Sequence, residues 1–208
     1  MGESETKKFS WLVTLVCGVL IARMFVSKPL PSPPIVITGN PIPKYATFLD
    51  LSGENLNDIS PIKPLTKLTS LALGDNEIND PTPLKSLKKL TSLDLGSNQI
   101  SDLTPLKALT KLTYLSLKIN QINDLTPLSA LTKLTALFLY NNQISDLTPL
   151  SALTELTELR LYNNQISDLT PLKSLSKLRY LGLSGNPLTQ RQIDDLQEAL
   201  PSCTIEYE

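Results

Sequence analysis

The feature that most constrains this chain is one asparagine recurring at a fixed interval. Asn76, Asn98, Asn120, Asn142, Asn164 and Asn186 stand 22 positions apart. Each sits in the frame L-x-x-L-x-L-x-x-N-x-[IL]: Leu68, Leu71, Leu73, Asn76 and Ile78 match Leu134, Leu137, Leu139, Asn142 and Ile144 without a gap. With a period of this size, each copy is one supersecondary unit that buries its apolar face only by stacking on its neighbours. The expected architecture is an α/β repeat solenoid.

Within a copy, Leu71 and Leu73 alternate with Ser70, Ala72 and Gly74, the pattern of a short strand with one buried face. Successive strands are predicted to pair in parallel about 4.8 Å apart. A 22-residue period leaves room for the crossover that parallel pairing needs. The return path carries Thr82-Pro83 in one copy and Thr148-Pro149 in another. A proline this central breaks an α-helix, so 3₁₀ or irregular convex segments are predicted. The repeated Asn offers two donors and an acceptor where the chain turns inward, and is read as a ladder sealing the turns of adjacent coils.

The ends depart from the frame as ends of a stack should. Residues 46–67 form a degenerate first repeat with Glu54 in the asparagine slot. Thr189-Gln190-Arg191-Gln192 reads as a capping box opening a helix with Ile193, Leu196 and Leu200 on one face, ended by Pro201. Cys203, Ile205 and Tyr207 then alternate as a last strand covering the sheet edge. Residues 46–188 thus hold about seven repeats and 189–208 a C-terminal cap.

Ahead of the repeats, Lys7 and Lys8 precede an apolar run from Trp11 to Ala22 that resumes after Arg23 as Met24-Phe25-Val26. Residues 1–27 are read as a membrane anchor, a cleaved secretory signal or a buried terminus. Six prolines between Ser27 and Tyr45 make residues 28–45 a stiff spacer or a cover for the first coil, with Ile35-Val36-Ile37-Thr38 as a short strand. The expected location is membrane-anchored or secreted.

Charge and residue usage narrow the function. With 19 basic and 20 acidic residues the chain lacks the cationic excess of a general nucleic-acid binder. It has no His, and Cys17 and Cys203 fit no zinc or redox spacing. Asp58, Asp80, Asp102, Asp124, Asp146 and Asp168 form a second 22-spaced column. They are read as turn caps rather than cation ligands. Lys67, Lys89, Lys111, Lys133 and Lys177, interrupted by Glu155, read as a solvated flank. No phosphate loop, nucleophile elbow or catalytic carboxylate pair is present. The expectation is a non-enzymatic chain without cofactor or metal.

The outward strand positions point to recognition. Phe48, Tyr114, Phe138, Tyr140, Tyr162 and Tyr180 all occupy slots facing away from the core. In the expected register Lys118, Tyr140 and Tyr162 align, as do Ser116, Phe138 and Arg160, and Tyr114, Ala136, Glu158 and Tyr180. The middle and C-terminal coils thus carry aromatic, Arg and Lys side chains of the kind enriched at interface hot spots. The candidate binding residues are Tyr114, Lys118, Phe138, Tyr140, Glu158, Arg160, Tyr162 and Tyr180.

The motif L-x-x-L-x-L-x-x-N-x-I-x-D-L-x-P-L resembles the 22-residue leucine-rich repeats of bacterial internalins and of phosphatase-regulator-type proteins, over about residues 46–200. The resemblance implies a curved right-handed solenoid that binds a protein through its concave face. Three internalin features are missing from the sequence: a helical N-terminal cap, an immunoglobulin-like domain and a wall-sorting signal. Host-cell invasion is therefore not expected. A cytosolic phosphatase-type subunit and a carbohydrate-binding surface protein stand as alternatives, the latter because Tyr and Phe also stack on sugar faces.

Overall fold

In each copy the leucines at the two inward strand positions and along the return path have nowhere to go but against the same positions of the next coil. The computed structural model describes residues 35–37 and 39–207. The apolar run and the proline-rich residues before Ile35 lie outside the described residues.

Eight three-residue strands form one parallel sheet. They are β3 (Phe48–Asp50), β4 (Ser70–Ala72), β5 (Ser92–Asp94), β6 (Tyr114–Ser116), β7 (Ala136–Phe138), β8 (Glu158–Arg160), β9 (Tyr180–Gly182) and, last in the chain, β10 (Thr204–Glu206). The order β10-β9-β8-β7-β6-β5-β4-β3 never skips a neighbour. The register advances by the repeat length: Leu71 lies beside Leu93, Leu93 beside Leu115, Leu115 beside Leu137. The return segments are 3₁₀ turns at Thr82–Ser86, Thr104–Ala108, Thr126–Ala130, Thr148–Ala152 and Thr170–Ser174, each with a proline in its first turn. Thin strands on one side and bulkier turns on the other curve the right-handed solenoid towards the sheet, which lines the concave face.

Three polar columns satisfy the backbone where the ladder of strands ends. The asparagines run along the inner turn. Asn98 Nδ2 donates to the carbonyls of Leu73 and Leu95 at 3.0 Å each, and its Oδ1 accepts from Ile78 N–H at 2.9 Å. Asn76, Asn120, Asn142, Asn164 and Asn186 repeat this bridge between coils. The residue before each of them has positive φ, between 51° and 73°: Gly53 in the asparagine-less first coil, then Asp75, Ser97, Ile119, Asn141, Asn163 and Gly185. On the opposite flank Thr69, Thr91, Thr113, Thr135 and Thr157 each donate a hydroxyl to the carbonyl 22 residues earlier, at 3.0–3.1 Å.

The aspartates form the third column. Asp80, Asp102, Asp124, Asp146 and Asp168 each accept the N–H of the Thr two residues on at 2.8 Å, and Asp58 accepts that of Ser60 at 2.7 Å. Hydroxyl and amide donors of those Thr residues hold the five carboxyls below their ordinary range, and the Ser60 amide and hydroxyl do so for Asp58. A folded pKa below the unfolded one contributes stability that is complete above about pH 4 and lost as pH falls through the depressed value. The thermal midpoint should therefore drop as the pH falls below about 4. Six Asp→Asn changes, which keep the acceptor and remove the proton, should flatten that drop. An equally steep fall in the substituted protein would assign the acid loss elsewhere.

The two ends are closed differently. β1 (Ile35–Ile37) and β2 (Asn40–Ile42) pair antiparallel as a hairpin of their own instead of extending the main sheet. The hairpin's Ile37 and Ile42 are buried in the core that starts at Leu49 and Ile59. At the other end α1 (Gln190–Ala199) starts from the capping box, in which Thr189 N–H donates to Gln192 Oε1 at 2.9 Å. Its Ile193 and Leu196 cover the last coil, and β10 follows it onto the sheet edge beside β9. Cys203 is a free buried thiol, pushed up to about 11 by burial, and so stays protonated at neutral pH. Among the described residues no helix is long and apolar enough to cross a membrane.

Candidate functional site

Strand alternation sends every second side chain onto the concave face, and the register decides which of them meet. Tyr114 pairs with Ala136, Ala136 with Glu158, and Glu158 with Tyr180. In the next row Asp94, Ser116, Phe138, Arg160 and Gly182 lie side by side. A third row is set by turn hydrogen bonds: Ile119 N–H donates to the Tyr140 carbonyl at 2.8 Å and Asn141 N–H to that of Tyr162 at 2.9 Å. Lys118, Tyr140 and Tyr162 therefore stand in line. The eight candidate residues occupy one contiguous part of the sheet, whereas Phe48 stands apart among Ser70, Ser92 and Ala72.

The rings pack on one another. Tyr114 meets Phe138 edge to face, with centroids 5.3 Å apart, and Tyr140 meets Tyr162 at 6.2 Å. Such pairs add about 0.5–1.5 kcal/mol beyond area burial. The Arg160 guanidinium sits 5.0 Å from the Phe138 centroid and 5.3 Å from that of Tyr180. Glu158 Oε1 accepts from Arg160 Nε at 2.8 Å and lies 2.6 Å from its Nη2. A cation–π sandwich with a carboxylate on one edge keeps this arginine oriented before anything binds.

Tyr162 faces outward as its slot requires but leans onto the neighbouring strand. Its ring lies across β9 at Gly182, where an added Cβ would come 2.1 Å from Tyr162 Cζ. Its hydroxyl donates to Glu206 Oε2 at 3.0 Å and faces the Tyr180 hydroxyl, which donates to the same carboxylate oxygen. The phenol donors, Tyr180 first and then Tyr162, hold Glu206 below the usual carboxylate range. Burial, then the Tyr180 and Glu206 contacts, push Tyr162 above the usual tyrosine range. Glu206 was not legible from the repeat: β10 follows a helix, so its register with β9 cannot be counted in steps of 22.

Three further residues show features that spacing alone does not give. Lys118 folds its stem over Gly96, where a Cβ would be 2.6 Å from Lys118 Cγ, and no carboxylate lies within ion-pair distance of it among the described residues. Ser116, only 1% exposed, is the one buried side-chain oxygen among the described residues without a well-formed hydrogen bond. Ile119 holds φ 54° and is 45% exposed. The signal for Ile119 was present, since Asp, Ser, Asn, Asn and Gly fill the other slots of its column from coil two onward.

Comparison with known proteins agrees with the repeat fold. Residues 66–108, 110–152 and 154–200 each match the family described as Leucine Rich repeats (2 copies). The crystal structure of an internalin (inlF) from Listeria monocytogenes is similar at 35% identity and TM-score 0.74, over 81% of this chain and 50% of that one. An internalin C2 (inlC2) from the same organism is similar at 35% identity and TM-score 0.64, over 78% of this chain and 80% of that one. A leucine-rich-repeat protein of Leptospira interrogans is 31% identical with TM-score 0.66, over 70% of this chain and 38% of its own. This chain spans half the length of inlF. Comparison with curated proteins gives no match.

Proposed function

We propose, from the premise that this chain belongs to the leucine-rich repeat family, that it is a non-catalytic protein-interaction scaffold holding a protein partner across its concave face. The observation that carries this reading is the Arg160 guanidinium stacked between Phe138 and Tyr180, at 5.0 and 5.3 Å, in a field of paired rings. Aromatic and Arg side chains that are ordered before binding lose little conformational freedom on association, which is why such clusters anchor interfaces. Clustering of five of the six outward rings in coils four to seven, with Phe48 alone on β3, supports recognition over sheet stabilisation, because β4 and β5 pair equally well with Ser, Ala and Asp in those slots. Export or membrane tethering through residues 11–26 belongs to this proposal and rests on the sequence pattern alone.

The test is capture of partners on the immobilised full chain, compared with Tyr140→Ala/Tyr162→Ala. Tyr140 and Tyr162 are half-buried surface rings, so the double variant should lose the captured protein while its thermal midpoint falls by only about 3 °C. Equal capture by both proteins would remove the concave face from the reading.

A further inference from the structure

Coil four carries the least comfortable residue of the solenoid. Ile119 is β-branched and lies in the left-handed region at φ 54°, where Gly, Asn, Asp and Ser fit and Ile is an outlier. Its neighbours in the column are Ser97 and Asn141, and Asn141 accepts from Asn163 Nδ2 at 2.8 Å, so the rim is otherwise polar. Ile119 nevertheless leaves 45% of its surface in solvent. It is not among the hydrophobic residues packed against the core of the described residues. Strain of this kind persists at sites of function.

The residue before it supplies the chemistry of the occupant. Lys118 presents an ammonium with no carboxylate within ion-pair distance among the described residues; its stem crosses Gly96, where an added Cβ would also lie 3.2 Å from Asp94 Oδ1. Its row continues into the Tyr140 and Tyr162 rings. Along this rim, from coil four to coil six, Lys118 is the only charge, since the positions beside it are Ile119, Tyr140, Asn141, Tyr162 and Asn163. A bound extended segment turns every second side chain to the same face, about 6.6–6.8 Å apart, so side chains two positions apart can reach Lys118 and Ile119 together.

We infer that the Lys118–Ile119 rim is the specificity-determining part of the concave face, and that it takes a protein segment presenting a carboxylate beside an aliphatic side chain. The carboxylate pairs with Lys118 Nζ and the aliphatic group covers Ile119. This rests on the protein-binding reading above and adds the partner's local chemistry to it.

The experiment uses the full chain and a random-peptide display library. Enriched peptides should carry Asp or Glu two positions from Leu, Ile or Val. A synthetic peptide of that consensus should bind about tenfold more weakly to Ile119→Asn and to Lys118→Ala. Ile119→Asn should at the same time melt about 2–4 °C higher than the parent, because Asn tolerates the left-handed conformation. Gain of stability with loss of affinity is a pairing that a structural role cannot produce. An unenriched library, a consensus without a carboxylate, self-association of the chain in place of peptide binding, or parental affinity in both variants overturns the inference. If Tyr140→Ala/Tyr162→Ala abolishes peptide binding while the two rim variants keep it, the rim assignment fails and the concave-face reading stands. If none of the three changes binding, both fail.

Discussion

Asn142→Ala is expected to lower the thermal midpoint by roughly 8–15 °C, corresponding to about 3–4 kcal/mol in a chain of this size. Asn142 Nδ2 donates to the carbonyls of Leu117 and Leu139 at 3.0 and 2.9 Å, and its Oδ1 accepts from Ile122 N–H at 3.0 Å. Alanine leaves one donor and two acceptors of the backbone buried without partners, each costing about 1–3 kcal/mol where no water reaches them. The loss should depend on place. Asn186 makes the same three bonds at the last coil but is only half-buried, so water replaces the amide there and Asn186→Ala should cost less. Thermal melts of the two variants beside the parent check the ordering. Equal, small losses at both positions would mean that the ladder is decoration on a solenoid held by its leucines.

Leu137→Ala is the other large expected effect, about 3–4 kcal/mol. Leu137 is fully buried at the centre of β7, with Leu115 and Leu159 beside it in register on the flanking strands. Those neighbours are fixed by backbone hydrogen bonds to their own coils, so the space left by the isobutyl group cannot close by a local shift. Leu137→Met, which nearly conserves volume, should cost less than about 1.5 kcal/mol. Denaturant unfolding of the pair separates cavity from chemistry. A Leu137→Ala loss below about 1 kcal/mol would show that adjacent coils relax onto one another.

The two columns behind these predictions were visible as spacing, because a side chain that bridges coils must recur with the coil. The same holds for the Asp58-to-Asp168 turn caps and the capping box at Thr189. The threonine ladder on the far flank is equally periodic but went unread, since its hydroxyls look like any polar residue at a strand entrance. The concave aromatic face was legible in its rows and not in its contacts. Which ring lies down depends on whether the neighbouring slot has a Cβ, and Tyr162 settles on β9 only because that slot is Gly182. Glu206 enters from a strand that counts outside the 22-residue frame. The hairpin before the first coil follows from pairing between Ile35–Ile37 and Asn40–Ile42, which a reading of single apolar stretches cannot see.

Ahead of the C-terminal cap, every inter-coil bond described here, whether from Asn, Thr or the strand backbone, joins residues whose separation is set by one fixed step. A tandem duplication of any whole coil in the DNA would therefore meet partners of the right kind above and below it, without rethreading the rest. The reach of such a molecule is thus free to grow or shrink by recombination while the outward slots drift separately, so length and taste are inherited on independent terms.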